Sequence, residues 1–288
     1  MPTFVVNKQV GPFQVAGFSL AGEETVVALP ELNVCFDAGR APREIIPIDT
    51  LCVTHGHMDH AAGVPYYLSQ RTFIGASGGR VVAHRELAAR FVRLMECWAR
   101  IEGHDSPAEI VGVTAGEDVK LRRDLVLRPF DVNHSEFSLG FSVLERRHKL
   151  KPEYADRTGP QLVELKKKGI QIQNEVEVPL VAYVGDTADG PFFDLDHVRN
   201  AQLVIVECTF FDPDHVVRAR AGNHTHVRDL RGIFPRLRSP HVLITHVTRR
   251  TDLRTAKRIL EEMIEPVDLE RSTFLMDRPR RQKPNAGA

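Results

Sequence analysis

The chain has 288 residues, 42% hydrophobic and 26% charged, with 38 basic side chains against 38 acidic ones. Such a composition excludes wholesale disorder, and no run approaches the roughly 20 apolar residues of a membrane span. Zero net charge gives no global field, so a nucleic-acid partner would have to be held by local patches. Short apolar runs at 26–29, 34–36, 51–53, 125–127, 180–184, 203–206 and 242–244 read as buried strands. Residues 81–101 and 252–264 read as helices, with apolar positions three and four apart. This mixture predicts a layered α/β fold in a single domain over 1–277, followed by a polar, disordered tail at 278–288. The first ten residues lack the layout of a secretory signal, and four scattered cysteines suit a reducing compartment, so a soluble cytoplasmic protein is expected.

The densest chemistry lies in Thr54-His55-Gly56-His57-Met58-Asp59-His60, directly after the apolar run 51–53. Where a strand gives way to a loop, His55 and His57 can point into one space, with Asp59 and His60 a step further at the start of a helix. Imidazole and carboxylate donors at this density suit Zn²⁺, with Mn²⁺ or Fe²⁺ as alternatives. A solvated turn without a role would favour Gly, Asn and Asp over three histidines. Further ligands should then stand at other strand ends, and His134, Asp186 and His246 each follow an apolar run. Glu207, after the run 203–206, and His224 are candidates for moving a proton. Between Arg146 and Lys168 eight Lys or Arg face three acids, and an arginine-rich stretch runs from Arg228 to Arg258.

The order THxHxDH, a separate histidine, a GDT aspartate and a late TH histidine resembles the metal set of the metallo-β-lactamase superfamily, and its spacing is similar to ribonuclease Z, short form. Glu207-Cys208-Thr209-Phe210 and Asn223-His224-Thr225-His226 resemble that family's HEAT and HST motifs. Val206 departs from the bacterial pattern, which has His there. The resemblance implies a four-layer αββα sandwich with two Zn²⁺ per subunit. His55, His57 and His134 would hold one ion, Asp59, His60 and His246 the other, and Asp186 would bridge them. A zinc-bridging hydroxide would cleave the 3′ trailer from precursor tRNA, with Asp59 orienting it and Glu207 and His224 protonating the leaving oxygen.

By the same resemblance, residues 149–178 would be a short basic arm that grips tRNA through Gly159, Pro160, Lys166, Lys167 and Lys168, and the chain would form a homodimer. Two other readings stay open at this stage. One keeps the fold and metals but takes a small substrate such as a cyclic nucleotide, a phosphodiester or an aryl sulfate. The other is a non-catalytic RNA-binding module.

Overall fold

The structure is a computed structural model that describes residues 5–76 and 78–277; the tail expected at 278–288 lies outside them. The first half of the chain builds one seven-stranded sheet from β1 (Val6–Val10), β2 (Phe13–Leu20), β3 (Glu24–Leu29), β4 (Val34–Phe36), β5 (Thr50–Val53), β6 (Gly79–His84) and β7 (Ala108–Val113), in that order across the sheet. The second half builds another from β8 (Val119–Arg122), β9 (Leu125–Asp131), β10 (Leu139–Leu150), β11 (Gln173–Tyr183), β12 (Leu203–Glu207), β13 (His241–Thr245) and β14 (Ser272–Phe274). Each sheet opens with three antiparallel pairings and closes with three parallel ones.

Period-two alternation explains why there are four layers. Val27, Phe36, Cys52 and Val82 of the first sheet pack against Leu127, Phe141, Val181, Ile205 and Leu243 of the second. Their sequence neighbours face outward. Val26, Leu51 and Val81 meet helices α1 (Met58–Ala61), α2 (Val64–Phe73) and α3 (Arg85–Glu102). Ala182, Val204 and Ile244 meet the helices of the second half, α5 (Asp196–Arg199), α7 (Val227–Ile233) and α8 (Leu253–Met263) among them. Strands buried on both faces have no polar side to show, which is why they read as unbroken apolar runs.

Two expectations from the sequence need adjusting. The helix expected from residue 81 starts at Arg85, because Val81, Val82 and Ala83 are fully buried as β6 between β5 and β7. His84 ends that strand and caps α3, its Nδ1 accepting from the Glu86 amide. The helix expected at 252–264 is α8, whose first turn Asp252 caps by accepting from the amides of Arg254 and Thr255.

Residues 149–178 form the end of a two-stranded ribbon. β10 and β11 remain paired from Arg146↔Glu177 to Leu150↔Gln173, beyond the last residue that pairs with β9. A helix, α4 (Gly159–Lys167), closes the ribbon, its start fixed by Pro160 and by a Thr158–Gln161 capping box. Pairing changes the charge that a linear count suggests. Arg146 bonds Asp118 and Glu177, and Arg147 bonds Glu145. Lys168 bonds Glu164, whereas Lys149, Lys151, Arg157, Lys166 and Lys167 make no ion pair among the described residues. Free positive charge therefore sits toward the tip. The arginine-rich stretch is likewise partly spoken for, since Arg236 bonds Asp189 and Asp194, and Arg249 bonds Glu23.

Candidate metal centre

The seven expected ligands come together where the strands of both sheets end. β5 runs into Thr54 and His55, and His57 stands at the N-terminus of α1, which carries Asp59 and His60. From the second sheet, His134 follows β9, Asp186 follows β11 and His246 follows β13. Gly185 takes a left-handed turn (φ 64°) in which a Cβ would lie 2.9 Å from the Thr54 methyl group, so only glycine lets Asp186 approach the first sheet so closely.

The donor atoms fall into overlapping groups of three or four: His55, His57 and His134; His55, His60 and Asp186; Asp59, His60 and His246; and Asp186, Glu207, His224 and His246. His55 Nε2 lies 3.0 Å from His57 Nδ1, which lies 3.3 Å from His134 Nε2. Asp186 Oδ2 stands 3.2 Å from His60 Nε2, 3.3 Å from His246 Nε2 and 3.9 Å from His55 Nε2. Asp59 Oδ2 completes the second group at 3.5 Å from His246 Nε2, held there by the Gly22 amide. Four ligands at about 2.0–2.1 Å from a tetrahedral ion stand roughly 3.3–3.4 Å apart. The observed spacings are close to such edges, so the donor set fits divalent cations.

The outward nitrogens are also held. His60 Nδ1 is 2.8 Å from Asp37, His55 Nδ1 is 3.0 Å from Thr54 Oγ1 and His246 Nδ1 is 2.9 Å from Thr209 Oγ1. His134 Nδ1 donates to the Asn223 carbonyl at 3.2 Å. Each such bond places the N–H on the far side of the ring and leaves the inward nitrogen with a lone pair for a metal. Burial, reinforced by the charge of His60, holds His55 well below the usual imidazole range, and burial does the same more weakly for His134. Burial also opposes charge on His60, but Asp186 and Asp37 outweigh it and raise that imidazole well above its ordinary value. Asp186 responds in the opposite sense: burial pushes its carboxyl up, and His246 and His60 pull it far down. The pocket thus demands positive charge, which a cation meets.

Beside the ligands lies the Glu207–His224 pair. Glu207 is buried and accepts from the amides of Thr187 and Thr209, from Thr209 Oγ1 at 2.6 Å and from His224 Nδ1 at 2.8 Å. Burial disfavours a charged His224, yet the Glu207 carboxylate raises it to about 9. Val206, at the position where the bacterial motif carries His, points into the apolar layer behind the sheet. His226 is a helix cap: its Nδ1 accepts from the Arg228 amide and its Nε2 donates to the Asp212 carbonyl. Reasoning from sequence gave no role to Asp37 and Thr209, which bond the candidate ligands His60 and His246 from behind, or to Tyr183, which bonds Asp37. A lone Asp after a short strand carries no spacing signal.

A family model described as "Beta-lactamase superfamily domain" matches residues 28–247. The chain is 32% identical over 242 residues to the chloroplastic tRNase Z TRZ2 of Arabidopsis thaliana, covering 83% of this chain and 68% of that one. It is 27% identical over 263 residues to tRNase Z TRZ1 of the same plant, covering 90% and 94%. Among solved structures, the short form of human tRNase Z superposes with a TM-score of 0.54 at 16% identity, covering 86% of this chain and 92% of that one. YhfI from Bacillus subtilis, a metallo-beta-lactamase fold protein, gives 0.59 at 12% identity, covering 89% and 92%. The structural likenesses show the fold and the sequence likeness narrows it: the chain belongs to the beta-lactamase superfamily and, within it, to the tRNase Z family.

Proposed function

We propose that this chain is a metal-dependent endoribonuclease that removes the 3′ trailer from precursor tRNA. The observation that carries the reading is the convergence of seven His and Asp donors, with His224 paired to the buried Glu207 beside them, in a chain of the tRNase Z family. His55, His57 and His134 would hold one Zn²⁺ and Asp59, His60 and His246 the other, with Asp186, whose Oδ2 stands 3.9 Å from His55 and 3.2 and 3.3 Å from His60 and His246, available to both. When bound, such ions supply Lewis acidity and a water of lowered pKa. Asp59, anchored by the Gly22 amide, orients the nucleophile. His224 holds a proton at its ring, with Glu207 fixing the imidazole through Nδ1, so that the Nε2 proton can pass to the 3′ oxygen as it leaves.

The ribbon arm supplies the grip. Lys166 and Lys167 at the end of α4, with Lys168 in a solvent-exposed pair that costs little to open, offer charge to an RNA backbone, and Gly159 and Pro160 set where that helix begins.

The chain functions as a homodimer in this reading. Met58, Tyr66, Phe73, Leu94, Trp98 and Ile101, all on α1–α3, are 38–76% exposed. Taking about 200 Å² for one large side chain, they offer on the order of 700 Å², close to one partner's share of a standard interface. Arg93, Glu96, Arg100 and Glu102, also exposed on α3, carry both signs of charge, which suits a self-complementary contact. Trp98→Glu should give a monomer in sedimentation. No helix among the described residues is long and apolar enough to cross a membrane, and the four free cysteines support a reducing, cytoplasmic setting.

The test is cleavage of a precursor tRNA bearing a 3′ trailer by metal-loaded wild type beside His57→Ala and Asp186→Ala. Cleavage after the discriminator base, lost in both variants, is the expected result. A loaded wild type that leaves the RNA intact but hydrolyses bis(p-nitrophenyl) phosphate would move the assignment to a small phosphodiester.

A further inference from the structure

Each sheet carries part of the ligand set, and the two parts meet only at their donor atoms, as between His60 and Asp186 or His57 and His134. His55, His57, Asp59 and His60 belong to the first sheet and its α1; His134, Asp186 and His246 belong to the second. Asp37 stands at the junction. It follows β4 in a left-handed conformation (φ 57°) and is fully buried. Its Oδ1 accepts from the Thr54 amide and Thr54 Oγ1, both at 2.8 Å, and its Oδ2 faces His60 Nδ1 at 2.8 Å. Those partners all lie on its own side of the sandwich. One further donor comes from across it: the hydroxyl of Tyr183, on β11, donates to Asp37 Oδ2 at 2.9 Å.

Tyr183 is the last residue of β11, three residues before Asp186, and Asp186 Oδ2 faces the inward nitrogen of His60 at 3.2 Å. A closed ring results: Tyr183 to Asp37, Asp37 to His60, His60 to Asp186, and back along the backbone to Tyr183. Burial, the charge of Asp37 and the hydrogen bond to it all raise the Tyr183 phenol well above its ordinary value, so it stays a donor. We propose that the Tyr183 hydroxyl is a positioning group that reaches from the second sheet to a ligand of the first, acting through Asp37 on the orientation of His60. The inference rests on the dinuclear reading above.

Two amide hydrogen bonds, from the Leu139 amide to the Thr54 carbonyl and from the His246 amide to the Ser19 hydroxyl, also cross between the sheets at this end, both at 2.9 Å. They anchor main-chain amides of the second sheet but touch no imidazole ring. Tyr183 is different because the atom that it bonds is the atom that orients a ligand. The role predicts selectivity. Loss of the hydroxyl should weaken the ion held by Asp59, His60 and His246 while sparing the one held by His55, His57 and His134, since the latter group makes no bond to Asp37. A merely structural tyrosine would weaken both together, in step with the stability of the metal-free chain.

Tyr183→Phe is the suitable variant. It keeps the ring that stacks on Phe36 at a centroid distance of 4.8 Å, and it leaves Asp37 with the donors from Thr54 and His60. The metal-free full chain would be titrated with Zn²⁺ against a chromophoric chelator, wild type beside variant. Thermal melting of both metal-free proteins and the nitrogen-coupled proton signal of His60 Nδ1 would be recorded in parallel. The expected result is one of two Zn²⁺ affinities falling by about 10-fold or more, the other unchanged, a shifted His60 signal and an unchanged melting midpoint. Two unchanged affinities, or two that fall together with the midpoint, would overturn the inference and leave the dinuclear reading standing. A wild type that takes up fewer than two Zn²⁺ would overturn the reading and the inference with it.

Discussion

The two sheets share one succession of strand pairings but contribute to the molecule in different ways. The first gives four ligand candidates from a six-residue stretch, positioned by a single strand end and a four-residue helix. The second gives three from three separate strand ends, and it also carries the Glu207–His224 pair and the ribbon arm. A local motif can be built by one turn of backbone, whereas the second half-site exists only once β9, β11, β12 and β13 have aligned. The second half is therefore where substitutions can separate metal binding, proton transfer and RNA affinity from one another.

The largest effect should come from the group shared between the halves. Asp186→Ala removes the buried carboxylate that faces both His60 and His246. Turnover of precursor tRNA and of a small diester should both fall on the order of 10⁴-fold, about 5.5 kcal/mol of barrier, with less bound metal by elemental analysis. Retention of full activity by a correctly folded variant would remove Asp186 from the centre. Glu207→Gln should sharpen the contrast. The amide can still accept a hydrogen bond, so folding and metal content should survive while kcat on precursor tRNA drops by about 10² to 10⁴-fold. Equal loss of metal would make Glu207 a scaffold for His246 through Thr209, not part of the proton path.

How much of this was legible in the sequence follows from the same contrast. Thr54 to His60 announces itself because its chemistry is contiguous. His134, Asp186 and His246 could be found by asking what stands at the ends of apolar runs, since buried strands are easily read and ligands gather at their tips. Asp37 stands at such a tip too, but one carboxylate without a neighbouring ligand looks like any turn, and its role depends on a tyrosine 146 residues away. Thr209 was hidden for a related reason: a hydroxyl in a loop gains meaning only when Glu207 and His246 flank it at 2.6 and 2.9 Å. The β6 strand was absorbed into the helix that follows because Val81, Val82 and Ala83 are apolar in either periodicity. Counting charge along residues 146–168 could not see Glu175 and Glu177, which the hairpin folds back against Arg146.

That neutralisation at the base of the arm sets a smaller prediction. Replacing Lys166 and Lys167 with Ala should raise KM for precursor tRNA and leave the small diester untouched. The log–log slope of affinity against salt should flatten by about 0.7–0.9 for each phosphate that a lysine no longer neutralises. Replacing Arg147, already paired with Glu145, should do much less. Equal effects from both would mean that the ribbon's base, not its tip, faces the RNA.

The smallest effect lies behind the second sheet, away from the chemistry. His197 on α5 lies beside Ser142 of β10, its Nδ1 2.9 Å from the hydroxyl, and burial followed by the Arg128 charge holds its pKa below the usual imidazole value. An unfolded chain takes up that proton near pH 6.5, before the folded one does. Between the unfolded value and the lower folded value, the unfolded state therefore binds more protons, and stability is lost as pH falls. Above about pH 6.5 both states are neutral and the contribution is complete. Wild type should lose more thermal stability than His197→Gln on going from about pH 7.5 to about 5.5, with no difference in kcat between them at the higher pH. Parallel melting curves would mean that His197 titrates alike folded and unfolded, and that the acid sensitivity of this half comes from its carboxylates alone.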